Sequence, residues 1–245
     1  HRDLHSFPTR RSSDLSGHGY YWLNGLVTSG DRNTAGYTAL GMDGQWILVM
    51  PEMDLVIALT GDSSYRGLDL EAAYCLESVK SDDPLPANPD AWAQMQMLID
   101  AQANPAPRAV ASFPEIALQI ENHRYALEEN KLNWESVSLE FEEEEALLTL
   151  ELGGEHYTLP VGLDGIERIS TVRLPGYYPF EPAMEVQVAL KGSWTGAARF
   201  QMTWADLLGA DEWSVGFQFE GDNLRITARE QIFPRIVNMV GAAQS

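Results

Sequence analysis

A serine, threonine or cysteine becomes a useful nucleophile only when a base stands beside it to take its proton. The chain has one cysteine, Cys75, and three lysines, Lys80, Lys131 and Lys191. Three positions before those lysines stand Glu77, Glu128 and Val188, so no serine precedes a lysine by one helical turn. The nucleophile-elbow spacing Gly-x-Ser-x-Gly is also absent. His18, His123 and His156 do not follow metal-ligand spacing. The four glutamates at 142–145 lack the interleaved oxygen ligands and the glycine of a calcium loop, and read as a solvated turn. No cofactor and no metal is therefore expected. One stretch keeps chemical interest: Gly41-Met42-Asp43-Gly44-Gln45, where Gly44 would let a ligand come close to the backbone.

The elements around that stretch are short. Trp46 to Met50 and Leu55 to Leu59 are apolar runs joined by the turn chemistry of Pro51-Glu52-Met53-Asp54, so they read as two buried strands of one hairpin. Residues 18–23 read as an aromatic strand and 24–40 as loop, on their Gly, Ser, Asp and Asn. Residues 70–79 read as a short helix with Leu70, Ala73 and Tyr74 on one face. Prolines at 84, 86 and 89 mark a joint at 81–107. Inside it, Asn88 and Pro89 can start a helix in which Trp92, Met95, Met97 and Leu98 are read as packing residues.

From about 108 onward, apolar residues recur at every second position. Val137, Leu139 and Phe141 are answered by Leu148, Leu150 and Leu152 across the glutamate turn. Further sets follow at Val186, Val188 and Leu190, at Phe200, Met202 and Trp204, and at Val215, Phe217 and Phe219. A turn at Gly221-Asp222-Asn223 leads into Leu224, Ile226 and Ala228, and 232–240 reads as a last strand whose start Pro234 confines to an edge. About eight antiparallel strands, each with one apolar face, predict a lipocalin-like barrel or a closed sandwich. The fold class is thus α+β, mostly β. Trp134, Trp194, Trp204 and Trp213 would line its interior, as packing rather than as a ligand chamber.

Composition limits the partners. The formal charge is −20. Such a surface disfavours nucleic acid and anionic membrane, both polyanions, and no apolar stretch approaches a membrane span. The single cysteine allows no internal disulfide and leaves the compartment open.

The run from Gly41 to Gly61 resembles the last two strands of the catalytic domain in serine hydrolases of the class C β-lactamase and penicillin-binding-protein type. The resemblance rests on Gly41-x-x-Gly44-Gln45, the strand, Val49-x-Pro51-Glu52-x-Asp54-Leu55-Val56 and the closing Thr60-Gly61. The aromatic strand at 18–23 resembles the one preceding that hairpin in the family, and a C-terminal helix follows there too. The resemblance implies that Met42, Asp43 and Gly44 stand at the substrate-binding Lys/His-x-Gly position. It also implies that the backbone N–H of Gln45 is one oxyanion donor. Met42 departs from the cationic or polar residue relatives often carry. The family's Ser-x-x-Lys and Tyr-x-Asn are absent, so a chain of this kind is expected to be inactive alone. Tyr125-Ala-Leu-Glu-Glu-Asn-Lys-Leu and Leu159-Pro-Val-Gly-Leu-Asp-Gly resemble the β-rich extension of some such hydrolases.

Residues 2–15 have no apolar periodicity and read like a translated sequencing adapter, so the natural chain is expected from near Ser16. The expected organisation is a tail (1–15), the C-terminal part of a catalytic domain (16–80), a linker with a short helix (81–107) and an accessory barrel (108–245). The parent would hydrolyse a small ester or amide through an acyl-enzyme, completed by a missing N-terminal part. The alternative is a non-enzymatic barrel that binds a hydrophobic ligand or covers a partner domain.

Overall fold

The computed structural model describes residues 17–19, 22–41, 44–60, 66–81, 83–174, 182–207, 212–231 and 235–244. The chain is mostly β and divides into two compact units, His1–Asn88 and Pro89–Ser245.

The first unit is an antiparallel sheet of five strands in chain order: β1 (Gly17–Gly19), β2 (Trp22–Ser29), β3 (Arg32–Leu40), β4 (Trp46–Met50) and β5 (Leu55–Leu59). Helix α1 (Arg66–Ser78) follows. The loop expected at 24–40 is instead the β2–β3 hairpin, turned at Gly30-Asp31 with Gly30 at φ 56°. Its alternation is carried by threonines and glycines rather than by large apolar residues. Thr34, Gly36 and Thr38 point to the buried side, and β-branched threonine suits a pleated surface. The hairpin at β4–β5 falls where expected, but of the two strands expected to be buried only β4 holds buried residues, while those of β5 are half-buried or exposed. Pro51 opens its 3₁₀ turn and Asp54, at φ 48°, closes it by donating its N–H to the Pro51 carbonyl.

Trp46, Leu48 and Met50 form one core cluster with Ala72 of α1, and Leu76 is also buried. The helix face expected from Ala73 and Tyr74 is therefore displaced: Tyr74 is 61 % exposed. A small residue, Ala72, meets the sheet, while the tyrosine keeps its hydroxyl in water. The side chain of Leu70 lies outside the described residues.

In the second unit α2 (Pro89–Ala103) buries no residue. Trp92, Met95, Met97 and Leu98 are all exposed, against the packing role expected of them. Its start at Pro89 follows from local chemistry, because proline fits the first helical turn. After α3 (Glu115–Gln119) come ten strands: β6 (Arg124–Leu127), β7 (Trp134–Phe141), β8 (Glu145–Leu152), β9 (Glu155–Gly162), β10 (Arg168–Leu174), β11 (Met184–Gly196), β12 (Arg199–Asp206), β13 (Glu212–Glu220), β14 (Asn223–Glu230) and β15 (Ile236–Gln244). Their hydrogen-bonded order runs β11 to β15, then β6 to β9, and β9 returns to β11. That return closes a nine-stranded barrel, so the expectation of closure holds and the sandwich is set aside. β10 pairs with β11 beside the seam.

The barrel interior is filled. Phe200, Phe217, Leu148, Leu150, Leu190 and Ile226 are all fully buried. Phe141 and Trp194 have ring centroids 4.9 Å apart, and Phe141 and Phe200 5.1 Å. Phe113 and Ile116, just before and within α3, pack against the same core. Trp134 and Trp204 are buried, with Trp194 and Trp213 packed half-buried against them, as expected of packing residues.

The seam has its own chemistry. Lys191 lies opposite Gly162 in a parallel pairing, and a Cβ on Gly162 would stand 1.7 Å from the Ile166 carbonyl oxygen. Only glycine fits there. Asp164, nearly buried, accepts from the Ile166 N–H at 2.9 Å and from both terminal nitrogens of Arg168 at 3.2 and 3.3 Å. Burial works against the Asp164 carboxylate, but the hydrogen bonds from Arg168 and Ile166 and the Arg168 charge outweigh it. Its pKa is held below the ordinary carboxylate value. Arg168 also reaches Glu145 at 3.3 Å, and Lys191 pairs with Glu167 at 2.9 Å. The segment Leu159-Pro-Val-Gly-Leu-Asp-Gly is thus the staple of the barrel.

Candidate functional site

The glycine stretch forms the loop between β3 and β4. The Gly41 N–H donates to the Gln45 carbonyl at 2.7 Å, and Gly44 sits at φ 82°. Gly44 needs the left-handed conformation there, and glycine adopts it without a Cβ clash. Gly44 is buried and Gln45 half-buried. A Cβ on Gly41 would stand 3.0 Å from the Gln45 Cβ, so the two loop stems approach closely. Gly41, Gly44 and Gln45 are therefore together at the loop. Met42 and Asp43, the other two candidate positions, lie outside the described residues.

Two open surfaces flank the strands that carry the loop. On the α1 side a groove of about 460 Å³ runs over Leu23, Gly25, Val27, Gly36 and Leu40 and reaches Ala72. Gly25 and Gly36 face each other across the hairpin, so neither adds a side chain to the groove. On the opposite face Ile47 is 42 % and Val56 63 % exposed. There Ala39 is paired with Ile47 and Tyr37 with Val49. Trp22 meets Tyr37 edge to face on this side, with centroids 5.3 Å apart and planes at 80°.

Tyr37 lies in the stretch whose Gly, Ser, Asp and Asn read as loop, so only strand pairing brings it to Trp22. The signal was present in the alternation Ala35, Tyr37, Ala39 against Thr34, Gly36, Thr38.

Elsewhere, among the described residues, Trp46 Nε1, Tyr125 Oη, Trp194 Nε1 and Glu230 Oε1 are buried polar atoms without a hydrogen-bond partner. Burial, and then the charge of Asp222, push the Tyr125 phenol above its ordinary value and keep it neutral. Glu230 receives a hydrogen bond from Arg235 through its other oxygen, and the Arg235 guanidinium lies 5.7 Å from the Trp213 ring centre. The glutamates at 142–145 make the β7–β8 turn, closed by the Glu142 N–H to the Glu145 carbonyl at 2.8 Å. Among the described residues no three His, Cys, Asp or Glu side chains come together as a metal site. No described helix is long and apolar enough to cross a membrane.

No protein-family model matches the chain, and neither does any curated protein.

Proposed function

We propose that residues 16–80 are the C-terminal part of the catalytic domain of a β-lactamase-like serine hydrolase, followed by an accessory barrel. The observation that carries this reading is the order of elements around one loop. An aromatic strand hairpin leads into Gly41-Met42-Asp43-Gly44-Gln45, then into two strands joined by Pro51-Glu52-Met53-Asp54, then into a helix on one face. The apolar residues on the other face support it, since strands apolar on both sides belong to a sheet covered on both sides.

In the intact parent a serine from the N-terminal part would attack an ester or amide carbonyl. The acyl-enzyme so formed would then be released by water. The Gln45 N–H would be one of two donors to the oxyanion, worth about 3–4 kcal/mol of barrier for one such donor. Met42, Asp43 and Gly44 would border the substrate. The chain itself offers no nucleophile–base pair, so it would bind at most and not turn over. The purified 245-residue chain is expected to leave nitrocefin and p-nitrophenyl acetate unhydrolysed above buffer. Turnover that a serine-directed phosphonate abolishes would contradict the reading, and so would an intact upstream gene without Ser-x-x-Lys and Tyr-x-Asn.

A further inference from the structure

We propose that the barrel mouth where β12 ends and β13 begins binds a primary alkylammonium, with a free carboxylate oxygen of Glu230 as its acceptor and the Trp213 indole as its apolar wall. The site lies within the barrel alone and does not depend on the hydrolase reading.

Strand register brings the residues together. Trp204 of β12 is paired with Trp213 of β13, and Trp213 with Glu230 of β14. All three stand on the inner face, two residues along their strands from Met202, Val215 and Ala228. Trp134 reaches over from β7, its ring centre 6.0 Å from that of Trp204. Trp134 and Trp204 are buried and close the floor, whereas Trp213 is half-buried and leaves part of its indole accessible.

Glu230 breaks the apolar pattern of its strand. Leu224, Ile226 and Ala228 fill the preceding inward positions, and a carboxylate with a fully buried side chain follows them. Burying such a group is costly unless its oxygens find donors. Oε2 accepts from the Arg235 Nε–H, but Oε1 has no partner. A carboxylate accepts at both oxygens, so half of its accepting capacity is unused.

The ligand class follows from that vacancy and from the rings beside it. Only a donor satisfies Oε1, and a cationic donor does so most strongly. Indole faces attract cations as well, and the Arg235 guanidinium already lies 5.7 Å from the Trp213 ring centre. Asp206, two residues past Trp204 on the same face of β12, adds a second carboxylate at this mouth. In a chain of net charge −20 such a mouth concentrates cations. An ammonium group supplies the donors, and its alkyl chain covers the indole. Arg235 is the cover that moves. Its side chain is 54 % exposed, while its carbonyl is held by the Glu230 N–H at 3.0 Å, so the guanidinium can swing aside without loss of strand pairing.

The test uses the full chain with its seven tryptophans replaced by 5-fluorotryptophan. The ¹⁹F line missing from Trp213→Phe identifies Trp213. n-Butylammonium chloride is expected to shift that line saturably, and sodium chloride at equal ionic strength to leave it in place. 1-Butanol, of similar size but uncharged, is expected to bind about ten-fold more weakly. Arg235→Gln removes the resident cation and keeps the carboxylate, so butylammonium should bind it about three-fold more tightly or better. Glu230→Gln is expected to abolish the shift; where that variant fails to fold, Arg235→Gln carries the test. No saturable shift in the unsubstituted chain or in Arg235→Gln would overturn the site. So would a shift matched by sodium chloride or butanol, no tighter binding by Arg235→Gln, or an unchanged shift in folded Glu230→Gln.

Discussion

The barrel and the five-stranded sheet are both antiparallel, yet they place their apolar residues differently. In β8 the sequence alternates, with Ala146, Leu148, Leu150 and Leu152 buried and Leu147 and Thr149 half-buried between them. Every such strand turns its apolar face into a closed interior. In β4 and β5 the apolar residues are consecutive. Trp46, Leu48 and Met50 are buried against α1's side, while Ile47 and Val56 face out. Burying a large aliphatic side chain fully is worth about 1.5–3 kcal/mol, so the outer face of this sheet forgoes a gain that the barrel collects. The barrel buries its apolar faces on itself; the sheet leaves apolar residues of its outer face exposed.

Breaking the barrel should have the largest effect. Phe217→Ala removes a fully buried ring and is expected to cost about 3–5 kcal/mol. Urea unfolding followed by tryptophan fluorescence would show this as a lower midpoint at unchanged slope. A loss below 1 kcal/mol would mean that the interior is not close-packed.

The seam comes next. Because the Asp164 carboxyl is held below its ordinary value, its contribution is fully present above the unfolded-state carboxylate pKa. It is lost as pH falls through the lower folded value. Asp164→Asn should remove that part of the acid dependence and leave Arg168 with Glu145 as its remaining carboxylate. Parallel unfolding series from pH 7 down to pH 3 for both proteins would measure it, and curves that stay parallel would refute the assignment.

The smallest effect sharpens the contrast. Ile47→Ser on the outer sheet face should change the stability of this chain by less than about 0.5 kcal/mol. The same substitution in an intact parent should cost about 2–5 kcal/mol, as in a core. Equal effects in both would mean that the face is natural solvent surface. Leu48→Ala, one residue along and buried, serves as the internal standard.

Much of the barrel was legible because period-two alternation with large residues reads as strand, but the choice between barrel and sandwich rested on the pairing of β9 with β11, which alternation does not carry. Strands whose alternation uses small or polar residues were harder. β2 and β3 passed for loop because Asn24, Gly25, Asp31 and Asn33 are turn formers when read singly. β9 is hard to read because Pro160 and Gly162 interrupt its pattern, and Gly162 sits where the seam leaves no room for a Cβ. For the site, the glycine loop was readable as a motif, but the turn alone accounts for Gly44. The aromatic contact needed pairing, since Trp22 and Tyr37 are neighbours only once β2 and β3 are in register. The exposed stripe of α2 was misjudged for the opposite reason: helical spacing says which residues share a side, not whether anything lies against it.

The pairing of β6 with β15 sets the timetable by which the barrel can form. Arg124 to Leu127 must wait for Gly241 to Gln244, more than a hundred residues later. Until then β14 and β6 each present an open edge, and the side chains meant for the interior face water. Long-range closure of this kind is slow and leaves the growing chain prone to aggregation. During synthesis, then, the half-finished barrel is the vulnerable species.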